Sequence, residues 1–114
     1  MLELANAFAT LGRLGMHRPY RLLETDQQSA HRIFDVRHAW LIADMLSDND
    51  ARAQSFGLDS ALTLDFPVDS KTSTSTEVRD NWAIGYTPEF TVGVWVENFD
   101  GSPMRNISGV TGAA

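Results

Sequence analysis

The sequence has no cysteine. That excludes disulfides, a thiol nucleophile and any thiolate metal site, and it leaves the redox compartment open. Lysine is almost as scarce, with Lys71 the only one in the chain. Nine basic residues stand against fifteen acidic ones, for a net charge of -6 and an isoelectric point near 4.8. Nucleic acids and anionic membranes are held by clustered positive charge, so contact with neither is expected. No apolar run approaches the roughly 20 residues that cross a bilayer. The opening stretch MLELANAFATLGRLG lacks a basic leader, and Glu3 and Asn6 interrupt it, so it does not read as a secretory signal. There is no internal repeat.

What is present suffices for a core. The chain has 114 residues, 43% hydrophobic and 10% aromatic, which predicts one small domain over residues 1–114. Met1, Leu4, Ala5, Phe8 and Leu11 fall on one stripe of a helix, ended by Gly12 and Gly15. His17 to Leu23 and Ala30 to Phe34 read as two short strands joined by a polar turn, Glu24 to Ser29. Asp35 is a suitable N-cap for a helix from Val36 to Ser47, with Val36, Ala39, Trp40, Ala43 and Leu46 inward. Asp48 to Phe56 adds a shorter helix, stopped by Gly57.

The strongest pattern lies near the C-terminus. Trp82, Ile84 and Tyr86 alternate with Asn81, Ala83 and Gly85; Val92, Val94 and Val96 alternate with Gly93 and Trp95. Thr87 to Phe90 is the turn between, so the segment predicts an antiparallel hairpin. The small residues at 83, 85 and 93 leave room for close packing on the second face. The fold class expected is α+β, an antiparallel sheet packed with helices.

Just before the hairpin, Ser70 to Thr76 is one lysine among six hydroxyl residues. Composition alone reads as a solvated linker. As a strand beside a buried hairpin, Lys71, Thr72, Ser73 and Thr74 can instead present an ammonium, hydroxyls and backbone N–H groups to an anion. Acyl-transfer sites hold a carboxylate and an oxyanion in that way.

Other candidates read as structural. His17, His31 and His38 form no His-x-x-x-His pair, and no carboxylate completes a metal set. Asp48 and Asp50 lack the glycine and glutamate of a calcium loop, which leaves a capped turn. Trp40, Trp82 and Trp95 are expected in the core. Arg79 and Asp80 are expected to pair or to anchor a strand. Ser70, Ser73 and Ser75 are conceivable nucleophiles beside Lys71, but no base accompanies them. Neither metal nor cofactor is expected.

Several of these stretches together resemble the transpeptidase domain of class A penicillin-binding proteins, most closely the 1C type. LELANAFATLG is similar to a helix of that family, HRPYRLL to the strand after it, and AWLIADMLSDNDARAQSFGLDSAL to the segment before the active-site strand. KTSTSTEVRDNWAIGYTPEFTVGVWVENFDGSPM resembles the block that opens with the family's Lys-Thr-Gly box. The resemblance implies a serine acyltransferase that joins peptidoglycan stem peptides on the outer face of the bacterial cytoplasmic membrane and is acylated by β-lactams. It implies an antiparallel sheet sandwiched by helices. Ser-x-x-Lys, Ser-x-Asn and Lys-Thr-Gly boxes build such a site. Lys71 and Thr72 match the first two residues of the last box. Thr74 matches the residue whose N–H helps form the oxyanion hole and whose hydroxyl meets the substrate carboxylate.

The departures are specific. No Ser-x-x-Lys occurs, because the residue three before Lys71 is Val68. Ser47-Asp48-Asn49 spells the second box, but it lies where the family has a helix end. Ser73 replaces the box glycine, and Glu97 stands where glycine is usual. The reading expected is the C-terminal portion of a transpeptidase domain lacking its N-terminal part, with no complete catalytic set and no acyl transfer of its own. The alternative is a small module that binds a peptide or peptide carboxylate on the Lys71 to Ser75 strand. A homo-oligomer, a dimer by strand pairing or helix exchange, is also expected, because a Val-rich edge strand would lack its neighbour.

Overall fold

A computed structural model describes residues 1–26 and 29–114. The chain begins with α1 (Leu2–Gly12), as its apolar stripe predicts. Leu14 and Gly15 then turn the backbone at positive φ, +52° and +87°. Gly15 sits against Phe34, where a Cβ would collide with the backbone, and its carbonyl accepts from Ile33 N at 2.9 Å. The end of α1 is thereby tied to the start of the next segment.

β1 (Met16–His17) and β2 (His31–Arg32) form a two-residue antiparallel ribbon. The longer strands expected at His17 to Leu23 and Ala30 to Phe34 do not form. Pro19 has no N–H to continue the ladder. Leu22 and Leu23 are 79% and 64% exposed, so nothing rewards extension there. The expected turn at Glu24 to Ser29 includes residues 27 and 28, which lie outside the described residues.

α2 (Val36–Ser47) is capped by Asp35, whose carboxylate accepts from Arg37 N at 2.9 Å. Ala39 is buried, and Ala43 and Leu46 are half-buried. Val36 and Trp40, expected to face inward, are exposed. α2 packs chiefly on α1 and on the first long strand, so a narrower stripe is covered than periodicity predicts. α3 (Asn49–Phe56) follows at once, with Asp48 accepting from Ala51 N at 3.0 Å.

The main sheet consists of β3 (Asp69–Thr74), β4 (Asp80–Tyr86) and β5 (Thr91–Glu97), antiparallel, in the order β3-β4-β5. The hairpin predicted around residues 81–96 is β4 and β5, closed by Thr87 N donating to Phe90 O at 2.8 Å. β4 is central and carries buried Asn81, Ala83, Ile84 and Tyr86. α1 covers one face: the Phe8 and Tyr86 rings lie 6.0 Å apart, and a Cβ on Gly93 would come within 2.9 Å of Met1 Sδ. On the other face, a Cβ on Gly85 would touch Val68 Cγ2 at 3.4 Å. The expectation that small residues admit close neighbours is met on both faces. α4 (Gly109–Gly112), opened by a capping box between Ser108 and Thr111, also lies against β4. The architecture is α+β.

The tryptophans depart from expectation. Trp82 and Trp95 stack across the hairpin with ring centroids 5.4 Å apart, but Trp95 remains 45% exposed and Trp40 59%. They decorate a sheet face and a helix side, where smaller residues already fill the interior.

Candidate functional site

Among the described residues, β3 is an outer strand of the sheet and pairs only with β4. Its register sets Lys71 opposite Ile84, Thr72 opposite Ala83, Ser73 opposite Trp82 and Thr74 opposite Asn81. Side chains alternate along a strand, so Lys71 and Ser73 share one face and Ser70, Thr72 and Thr74 the other. Lys71 and Ser73 are exposed and border a cleft of about 340 Å³ with Leu4, Phe8, Trp82 and Ile84. That cleft has an apolar floor and one cation at its rim. It suits a ligand with a small apolar group beside a carboxylate.

The opposite face is tied down. Ser70 is buried and accepts a hydrogen bond from the Arg52 guanidinium. The same guanidinium donates to Leu46 O at 3.1 Å and to Asn49 Oδ1, so it fastens the α2–α3 junction to β3. Thr74 Oγ1 donates to Asn81 Oδ1 at 2.9 Å, and Asn81 is fully buried. Lys71 Nζ donates to Thr72 O. Among the described residues, no hydrogen bond joins Lys71 to a serine hydroxyl.

The turn after β3 is strained. Glu77 and Val78 take φ of +64° and +55° within the 3₁₀ turn Thr76–Val78. A reciprocal clamp holds its base: Asp80 N donates to Ser75 Oγ at 3.0 Å and Ser75 N donates to Asp80 O at 3.1 Å. Of the two alternatives expected for Arg79 and Asp80, the second holds: Arg79 pairs with Glu77 at 2.6 Å, and Asp80, the first residue of β4, anchors the strand start through Ser75. The Asp80 carboxylate instead accepts from Trp95 Nε1 at 3.1 Å, which frees Arg79 for the exposed turn. The Ser75 hydroxyl, and then the two indole N–H groups, hold the Asp80 carboxyl below the ordinary range.

At the other end of β3, Asp69 lies opposite Tyr86. Burial pushes the Asp69 carboxyl up, against the opposing pull of the Tyr86 hydroxyl and Arg52. Burial also pushes the Tyr86 hydroxyl up, reinforced by the Asp69 charge, so it stays protonated.

The Ser47-Asp48-Asn49 triplet is engaged locally. Ser47 Oγ donates to Asp44 O at 2.9 Å, Asp48 caps α3, and Asn49 accepts from Arg52. Arg52 and Asn81 are the residues that sequence reading missed. Arg52 carried no motif. Asn81 had one available signal, a polar residue at an inward position of an apolar strand.

No family model matches the chain. Penicillin-binding protein 1C of Escherichia coli (strain K12) is 32% identical over 102 residues, covering 90% of this chain and 13% of that protein. Over nearly its whole length the chain is similar to a segment of class A penicillin-binding proteins, consistent with a fragment of their transpeptidase region. Penicillin-binding protein 1A of Clostridium novyi (strain NT) is 28% identical over 107 residues, 83% of the chain. Its counterpart in Clostridium perfringens (strain 13 / Type A) is 28% identical over 118 residues, 93% of the chain. The chain spans 12–17% of the length of these penicillin-binding proteins. Among the described residues, no helix is long and apolar enough to cross a membrane.

Proposed function

We propose that β3 of this chain is the substrate-cradling strand of a peptidoglycan transpeptidase site, with Lys71-Thr72-Ser73 as a modified Lys-Thr-Gly box. The observation that carries it is Lys71 on an outer strand, at the rim of an apolar cleft shared with α1. There the ammonium attracts the carboxylate of a stem peptide, and the cleft takes the methyl group of its terminal residue. The 114 residues contain no Ser-x-x-Lys. Without an activated hydroxyl, no covalent acyl intermediate forms on this chain alone. Its contribution is binding and orientation.

Two measurements test this. Fluorescent penicillin is expected to leave the chain unlabelled, and an added mass of one penicilloyl group would overturn the non-catalytic reading. A D-Ala-D-Ala peptide is expected to shift the amide resonances of Lys71 to Thr74. No change there at millimolar peptide would remove binding, including the reading as a small carboxylate-recognising module.

A further inference from the structure

Along β3 the backbone groups point alternately toward β4 and away from it. Ser75 N donates to Asp80 O at 3.1 Å, so the groups of Ser75 point toward β4. The register runs unbroken from Asp69 to Thr74, so the N–H and C=O of Thr74, and those of Thr72, point to the outer side of the strand. Lys71 Nζ donates to Thr72 O on that side. Thr74 and Asn81 are thus a non-hydrogen-bonded pair across the ladder, the kind whose side chains approach most closely. Thr74 Oγ1 uses that closeness to donate to Asn81 Oδ1 at 2.9 Å.

Asn81 departs from the pattern of its strand. It is fully buried in β4, where the other buried residues are Ala83, Ile84 and Tyr86. Among the described residues, its amide Nδ2 is buried without a hydrogen-bond partner. α4 closes over it, since a Cβ on Gly112 would come within 3.2 Å of that nitrogen. An unpaired buried donor destabilises a fold, and an apolar residue of similar size would avoid the loss. Packing therefore gives no reason for an amide here. The bond to Thr74 gives one.

We propose that Asn81 is a positioning residue of the β3 site. It holds the Thr74 side chain in one rotamer, with the hydroxyl turned to the buried amide. Thr74 then meets a ligand through the backbone groups on the outer side of β3, and its hydroxyl takes no part in recognition. Ser70 is fastened in a similar way, by Arg52 of α3. Two hydroxyls on the face opposite Lys71 thus serve the fold, and a ligand carboxylate is left to the Lys71 side of the strand.

The role rests on the reading of β3 as the ligand strand, and the two are tested apart. The lock is read without ligand, from three-bond couplings to the Thr74 methyl carbon, which report its χ1 angle. The unaltered chain is expected to show one rotamer, and Asn81→Ala an average over several. The same couplings in both proteins would overturn the positioning role. Recognition is read with Thr74→Val, which keeps the shape of the side chain, removes its hydroxyl and leaves Asn81 in place. Its affinity for a D-Ala-D-Ala peptide, from a resonance-shift titration, is expected to equal that of the unaltered chain. A weakening, about tenfold or more for a hydroxyl that bonds a carboxylate, would overturn the exclusion of the hydroxyl. If the unaltered chain binds no peptide, the reading of β3 as a ligand strand falls, while the couplings still decide whether Asn81 locks Thr74.

Discussion

The two outer strands of one three-stranded sheet have opposite chemistry. β3 carries a lysine and five hydroxyl or carboxylate side chains; β5 carries three valines, a tryptophan and a glycine. Both borrow their order from β4, which lies between them. An edge rich in hydroxyls and charge tolerates water on its open N–H and C=O groups. It is also kept from self-association and left available for a small polar ligand. A β-branched apolar edge has the opposite tendency and seeks another strand. The difference teaches that the two edges of one sheet, sharing the same central strand, can carry opposite chemistry.

The largest effect comes from the strand the edges share. Tyr86→Ala removes a ring that is 1% exposed and packs on Phe8. It is expected to cost about 3–5 kcal/mol, read from urea unfolding. Amides of β3 and β5 should lose exchange protection together. If only one edge responds, β4 is not the common support.

Arg52→Ala sharpens the contrast, because Arg52 touches β3 through Ser70 and has no hydrogen bond to β5. Loss of hydrogen bonds to a charged group predicts about 1.5–3 kcal/mol, with exchange changes confined to β3, α2 and α3. Equal exchange in β5 would contradict that confinement.

A smaller effect is expected from Ser73→Gly. Glycine in a strand costs about 0.5–1 kcal/mol in backbone entropy. The cleft beside Lys71 opens, and peptide affinity in a resonance-shift titration is expected to rise while penicillin still leaves no adduct. A β-lactam burst from this variant would reveal a nucleophile elsewhere in the chain.

The smallest effect is electrostatic and has opposite signs at the two ends of the β3–β4 ladder. The Asp80 carboxyl is lowered in the fold, so its stabilisation is present above about pH 3.9 and fades as pH falls through the folded value. The Asp69 carboxyl is raised, so its contribution is present below about pH 3.9 and fades as pH rises through the folded value. Carboxyl resonance titration is expected to place Asp80 below Asp69. Asp80→Asn and Asp69→Asn should each flatten its own part of the stability profile, and the reverse order of titration would refute both assignments.

Strong local patterns were legible without coordinates. The stripe of α1, the Asp35 and Asp48 caps and the β4–β5 hairpin depend on neighbours a few residues apart, so periodicity and turn chemistry suffice to specify them. Lys71 to Thr74 stand out as a box only through resemblance, and that role is a proposal; the structure brings Lys71 and Ser73 to one cleft. The strands around Pro19 are shorter than alternation predicts, because nothing buries Leu22 and Leu23. Val36 and Trp40 were overread for a related reason: periodicity defines a helix face, while the neighbours decide how much of it is covered.

By itself, then, the sequence determined the acidic character, the α+β class, the helix caps, the hairpin and the absence of a Ser-x-x-Lys in these residues. Each follows from composition or from short-range spacing. Only the tertiary structure decided that Arg52 holds Ser70, that Asn81 receives Thr74, that Asp80 turns to Trp95 and that β4 lies between β3 and β5. Those relations join residues far apart in the chain, and a hydrogen bond or a buried face depends on where folding brings its partner.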